Sequence, residues 1–493
     1  VTGEDGLGRK FLGSAGWVLL EQWSTKLVSL LLFAILARLL QPSDFGLVAL
    51  ATAIIAILQV FVNSGFSKAL IQKRDLLPKD AATAFWTSLA LAAVIYGLLI
   101  AAAPLLALWF GQSELHLVLI ALGAIIPLAA LSRVPAALLA REFAFRTLSL
   151  RTMISILVGA LVALPLAIAG LGVWALVAQA VAEAAVAVIV LWSSTSWRPR
   201  FEFSIESLRS LWKTGISLLG IELLDAIQAQ VDKLVVGALF SVTELGIYSL
   251  AQRLGVMLQD IVSSVITRVS LTTFSRAQDD ISRVRWIFRQ LTFATAALSF
   301  PVFGLVAVLS SQIVPFLFGP GWDAAIPLIW IMAGGWAFAA VAMFDRSALV
   351  GTGHADAALW LALLQNAISI ALVFAFAPLG VLGIAFSRFA RILTWPIRLY
   401  ALHRFISLPV WRYVWQVVKC VLAVGPFIIA IAILQTTPWA TIDQAFWLFA
   451  LPLGALGFLI SVATCYLTAD QDIRRAVRTQ IAQVLKRRGG NSA

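Results

Sequence analysis

The chain has 493 residues, of which 61% are hydrophobic and only 12% charged, with a mean hydropathy of +0.96. That much apolar surface cannot be hidden in soluble cores at this length, which excludes a soluble enzyme, a disordered protein and a fibrous repeat. What remains is a polytopic membrane protein, in which the formal net charge of +12 reads first as an orientation signal.

Apolar windows of roughly 20 residues recur along the chain. They predict spans over 14–40, 44–65, 81–110, 115–138, 150–169, 172–192, 212–239, 244–267, 290–317, 324–350, 357–377, 380–401, 413–434 and 444–468. The predicted fold class is an all-α polytopic membrane protein with about 14 transmembrane helices, arranged as two parallel six-helix repeats plus two C-terminal helices. The corresponding domains are a first lobe over 1–200, a second over 201–405, two additional helices within 406–469 and a basic tail over 470–493. The first apolar run is too long for a signal-peptide core and reads as a retained span. Pro127, Pro301 and Pro327 fall inside spans and predict kinks.

The connectors alternate in charge. Basic residues gather at the N-terminus and in every second connector: the second has Lys68, Lys73, Arg74 and Lys79; the fourth has Arg133, Arg141, Arg146 and Arg151. Counted this way, with the C-terminal tail, the cytoplasmic set holds 31 of the 36 Lys and Arg. The intervening connectors hold none, so both termini are expected to be cytoplasmic. Trp17, Trp109, Trp192, Trp197, Trp212, Trp322, Trp411 and Trp439 fall near predicted span ends, as an interfacial belt requires. Trp23, Trp330 and Trp336 lie deeper, suited to core packing or to stacking on sugars. Cys420 and Cys465 form no disulfide framework, and His116, His354 and His403 show no ligand spacing. No metal or other cofactor is expected.

An internal repeat appears at an offset of 200 residues. Ser43-Asp44-Phe45-Gly46-Leu47 pairs with Thr243-Glu244-Leu245-Gly246-Ile247, and Leu50-Ala51 with Leu250-Ala251. Both segments join an odd span to the next even one. A displacement of six helices keeps orientation, so the halves read as parallel repeats about the membrane normal.

The same hairpin carries a family resemblance. Ile35-Leu36-Ala37-Arg38-Leu39-Leu40-Gln41-Pro42-Ser43-Asp44-Phe45-Gly46-Leu47, followed by Asn63-Ser64-Gly65-Phe66-Ser67, resembles the first hairpin of bacterial polysaccharide transporters. Asp232-Lys233-Leu234-Val235-Val236-Gly237, continuing to Gly246-Ile247-Tyr248-Ser249-Leu250-Ala251, resembles their seventh and eighth spans. These are Wzx-type lipid-linked oligosaccharide flippases, of the superfamily that includes multidrug-and-toxin extruders and the murein lipid flippase; the branch serving exopolysaccharides such as colanic acid is most similar. The resemblance implies transfer of an undecaprenyl-pyrophosphate-linked oligosaccharide to the periplasmic leaflet of the bacterial inner membrane. It implies a polymerase and a chain-length regulator as pathway partners. The chain reads as a monomer in the phospholipid bilayer, with no nucleic-acid partner.

Charges that topology does not explain mark the candidate site, because intramembrane ions usually face a bundle interior or a wet cavity. Five basic residues remain: Lys26, Arg38, Lys233, Arg253 and Arg346. They are the candidate pyrophosphate and sugar contacts, Arg suiting phosphate by its bidentate fork and Lys as a point charge. Glu21, Glu183, Glu222, Asp225, Asp232 and Asp260 are candidates for sugar contacts or for coupling to protons or sodium ions. Asp260 lies about 20° from Arg253 at 100° per residue, on a polar half of its helix. Asp225, Gln228 and Asp232 share a stripe on the preceding span. Each charge has a plainer alternative: Arg38 and Arg346 snorkel from span ends, Lys233 neutralises Asp232 or Glu222, and Arg253 pairs with Asp260. A drug/cation antiporter of the same superfamily is the alternative function, kept open by the acid-rich seventh span. A membrane-integral polymerase or glycosyltransferase is more distant, because the outer connectors leave no room for a catalytic domain and Gly351-Thr352-Gly353 is an isolated tight turn.

Overall fold

A computed structural model describes residues 25–63, 70, 77–276, 280–435 and 443–475. Glu21, the first part of the span 14–40 and most of the basic tail lie outside the described residues. The described chain is helical throughout. Helix α1 covers 25–39, followed by α2 (Pro42–Asn63), α3 (Pro78–Trp109), α4 (Leu115–Gly123), α5 (Ile125–Arg141), α6 (Phe145–Ile168), α7 (Val173–Ser194), α8 (Ile205–Leu239) and α9 (Val242–Arg276). Then come α10 (Ile281–Phe318), α11 (Ala325–Ala342), α12 (Phe344–Gly351), α13 (Ala355–Phe376), α14 (Gly380–Ala390), α15 (Trp395–Ile406), α16 (Val410–Gln435) and α17 (Asp443–Thr468).

Among the described residues, nine stretches are long and apolar enough to cross a membrane. One of the nine, Ala355–Ile406, runs for 52 residues and is interrupted by single 3₁₀ turns at Ala377–Leu379 and Arg391–Thr394. Helices α8 and α9 are not among them because they carry Glu222, Asp225, Asp232, Lys233, Arg253 and Asp260. With 35, 35 and 38 residues, α8, α9 and α10 outrun a bilayer of about 45 Å at about 1.5 Å per residue.

Two spans are broken. Between α4 and α5 the cause is Pro127, which has no N–H for the carbonyl of Gly123, the last residue of α4. Between α11 and α12 there is no proline; Arg398 of α15 instead donates to the freed carbonyl of Ala342 and, at 2.7 Å, to the carboxylate of Asp345. Pro301 sits within a continuous α10, and Pro327 falls in the first turn of α11, where no backbone donor is needed. Neither interrupts its helix.

The chain groups into two compact units. The first comprises 1–250, 314–325 and 373–384; the second comprises 251–313, 326–372 and 385–493. The first unit shows what the repeat does. Asp44 accepts the backbone N–H of Gln41 at 2.9 Å, and Glu244 accepts that of Ser241 at 2.9 Å, so each acid closes the first turn of its helix. Two residues on, Gly46 and Gly246 meet. A Cβ on Gly46 would overlap the carbonyl oxygen of Val242, and one on Gly246 would overlap that of Pro42. The contact is reciprocal: each repeat's glycine receives the other repeat's first helical carbonyl. Phe33, Phe45, Phe318 and Trp322 pack edge-on nearby, with ring centroids 5.3–5.7 Å apart. Trp322, expected at the interface, is only 1% exposed and donates to the carbonyl of Ala37 at 2.9 Å. Trp109 and Trp411 do stand exposed near helix ends, at 75% and 77%.

The second unit has its own apolar cluster of Val308, Leu309, Phe427 and Ile431, joining α10 to α16. Cys420 and Cys465 are buried free thiols on α16 and α17.

Replacing Gly46 or Gly246 by Ala pushes a methyl group into backbone and should lower stability by about 1–3 kcal/mol. The midpoint of thermal unfolding in detergent should fall for each variant. Unchanged midpoints in both would contradict the crossing.

Candidate functional site

Three helices of the first unit border an open cavity of about 540 Å³. Helix α5 lines it with positions 128, 129, 132, 133, 136, 137 and 140, a single face recurring every three to four residues. Four of those seven are Ala; the others are Leu128, Ser132 and Arg133. Helix α6 adds Leu148 and Arg151, and α7 adds Ala184 and Ala187. The small side chains leave the space open. Arg133 stands eight residues before Arg141, and Arg151 six after Phe145, so they sit about 12 Å and 9 Å along their helices from the α5–α6 turn. Both were counted with the fourth connector in the sequence; the structure puts both inside helices, on the cavity wall.

The Nε of Arg133 is buried and has no hydrogen-bond partner. The carboxylate of Glu222 on α8 acts on Arg133 electrostatically. An Nη of Arg151 reaches the hydroxyl of Thr152 at 3.4 Å. Glu183 stands one residue from the cavity-lining Ala184 and accepts from Gln179 at 2.9 Å. Its side chain crosses to α6 over Gly159, where any Cβ would overlap it.

The other expected site residues take varied positions. Lys26 is half-buried on α1. Arg38 donates to the carbonyls of Leu317, at 3.1 Å, and Phe316, so its guanidinium closes the C-terminal end of α10. Glu222, Asp225 and Lys233 are half-buried along α8. Asp232 is completely buried; one carboxylate oxygen accepts the hydroxyl of the equally buried Tyr248 at 2.5 Å, the other the backbone N–H of Lys233 at 3.1 Å. In the second unit, Arg253 and Asp260 lie on an exposed stripe of α9, and Arg346 is exposed on α12. Its neighbour Asp345 is 3% exposed and ion-paired with Arg398.

The arrangement thus gathers two guanidinium groups, Arg133 and Arg151, that the connector count hid. The run of alanines at helical spacing around Arg133 was the available signal. Among the described residues, no cluster of His, Cys, Asp and Glu is arranged to hold a metal.

Removing the hydroxyl in Tyr248→Phe leaves the buried Asp232 carboxylate short of a donor and should cost about 1–3 kcal/mol. Asp232→Asn should cost less in the Tyr248→Phe background than alone. A double-mutant cycle in detergent-purified protein measures this coupling; strict additivity would remove the pair.

Comparison with known proteins agrees with this architecture. Residues 35–327 match the family model described as polysaccharide biosynthesis protein. The succinoglycan biosynthesis transport protein ExoT of Rhizobium meliloti is 30% identical over 322 residues, covering 65% of this chain and 65% of that one, slightly under two thirds of its length. The teichuronic acid biosynthesis protein TuaB of Bacillus subtilis is 24% identical over 358 residues, 71% of this chain and 73% of its own. The lipopolysaccharide biosynthesis protein WzxC of Escherichia coli is 21% identical over 332 residues, 66% and 67% respectively. Among solved structures, the lipid II flippase MurJ in an inward closed conformation has a TM-score of 0.73 at 14% identity, over 91% of this chain and 98% of that one. An inward-facing MATE family multidrug resistance transporter of the MOP superfamily has a TM-score of 0.62 at 15% identity, over 78% and 94%. At these identities the structural likeness speaks for the fold alone. The family match covers more than half of the chain, and the chain therefore belongs to the polysaccharide biosynthesis protein family, as a multi-pass helical membrane protein with the fold shared by MurJ and the MATE transporter.

Proposed function

We propose that this chain flips an undecaprenyl-pyrophosphate-linked oligosaccharide from the cytoplasmic to the periplasmic leaflet of the bacterial inner membrane, by alternating access, for exopolysaccharide or lipopolysaccharide biosynthesis. The observation that carries this reading is a set of charged side chains on otherwise apolar helices in a chain of the polysaccharide biosynthesis family: Lys26 on α1, Lys233 on α8 and Arg253 on α9. A pyrophosphate bearing sugars cannot cross bare hydrocarbon, because its charges and hydroxyls lose their hydrogen bonds there. Basic side chains replace part of that solvation. In this proposal Lys26, Lys233 and Arg253 hold the pyrophosphate, and Arg38 and Arg346 attract it from helix ends. Negative potential inside favours outward movement of the anion by about 2.3 kcal/mol per charge per 100 mV. Coupling to protons or sodium ions would draw on Glu183, Glu222, Asp225 and Asp260, and on Asp232 only if Tyr248 released it. The proposal includes fourteen spans with both termini cytoplasmic, a monomer, and a polymerase and chain-length regulator acting on the product.

A cation-driven drug antiporter is the second reading, favoured by the acids along α8 and by the MATE-like fold. The two separate in a deletion strain. Flippase loss stops polymer export and accumulates the lipid-linked repeat unit inside the cell, whereas antiporter loss changes drug tolerance with export intact. Lys26→Ala, Lys233→Ala and Arg253→Ala, expressed equally in that strain, should each restore export about tenfold less well than the parent chain. Full export from all three would remove the assignment of these cations.

A further inference from the structure

The cavity between α5, α6 and α7 is not used by the cations invoked above. Its volume falls in the range of small-ligand sites, about 300–1,000 Å³. Alanines on two of its walls keep it open. Arg133 and Arg151 line it from different helices. Two guanidinium groups lining one space in an apolar chain give it a local positive charge that attracts an anion. The buried Nε of Arg133 has no hydrogen-bond partner, a donor that a closed core does not leave unmet.

We infer that this cavity is an anion subsite for a phosphate-bearing group, with Arg133 and Arg151 as its paired ligands. Two planar guanidinium groups on facing helices suit a tetrahedral phosphate, each offering parallel N–H donors. The phosphate comes either from the diphosphate of the transported lipid, which rests on the flippase proposal, or from a resident anionic phospholipid, which does not. Glu222 supplies the counter-charge to Arg133 when the cavity holds no anion, and an entering phosphate competes with it. The carboxylate therefore weakens binding and keeps it reversible.

The test uses the full chain purified into nanodiscs of phosphatidylcholine, with inorganic pyrophosphate titrated by calorimetry. Arg133→Gln and Arg151→Gln should each weaken pyrophosphate binding about tenfold, and Glu222→Gln should strengthen it about threefold. Adding phosphatidylglycerol to the discs separates the sources. If it blocks pyrophosphate in the parent chain, and native mass spectrometry shows it retained there but not in the Arg variants, the phospholipid is the occupant. If pyrophosphate binding persists, the transported diphosphate is. Unchanged pyrophosphate affinity and unchanged lipid retention in both Arg variants would overturn the subsite. Should either Arg variant fail to fold, Glu222→Gln decides, since it keeps both arginines and its affinity must rise; no rise would overturn the subsite. Failure of the subsite leaves the flippase proposal standing if the deletion strain still loses export. Intact export in that strain removes the flippase proposal whatever the cavity binds.

Discussion

Hydrocarbon offers a polar group no hydrogen-bond partner, and the internal ties of this chain follow from that. At several helix ends and one break, freed carbonyls are met by a side chain from elsewhere in the sequence. Arg38 meets those at the end of α10, and Arg398 meets that of Ala342 at the α11–α12 break. The indole of Trp322 does the same for Ala37. Buried acids are answered likewise, Asp232 by Tyr248 and Asp345 by Arg398. A charge inside the bilayer is therefore not by itself a sign of transport. Several of these hold helices together, at the ends or interruptions where backbone needs company.

That sorting changes the meaning of the net charge. Most of the +12 sits in the alternating basic connectors, a pattern that reads as an orientation signal. Arg398 stands apart from that account because it is ion-paired with Asp345 and tied to Ala342, and Arg133 and Arg151 because they line the cavity of the first unit.

Sequence periodicity made the helices legible because span length and hydropathy are local properties. The break at Ala124 was readable too, since Pro127 acts on the carbonyl four residues back. The break at Met343 was not, because its stabilising partner Arg398 is 55 positions away in sequence. Trp322 shows the same limit: nearness to a span end does not tell which face a residue turns to. The site was legible as a list of charges and illegible as a place. Arg133 and Arg151 looked like orientation signals, and only the meeting of α5, α6 and α7 shows the cavity they share. The repeat was visible as a pattern, Asp44 with Gly46 and Glu244 with Gly246. The reason for it, an acid that closes a helix start and a glycine that admits the other repeat's carbonyl, needed both copies in space.

The glycine crossing also has a temporal side. Gly46 and Gly246 are 200 positions apart, and a ribosome adding about 5–20 residues per second needs roughly 10–40 s to travel between them. Throughout that interval helices up to α8 are made while the notch on α2 stays unfilled. It closes only when α9 leaves the ribosome and brings Gly246 against it.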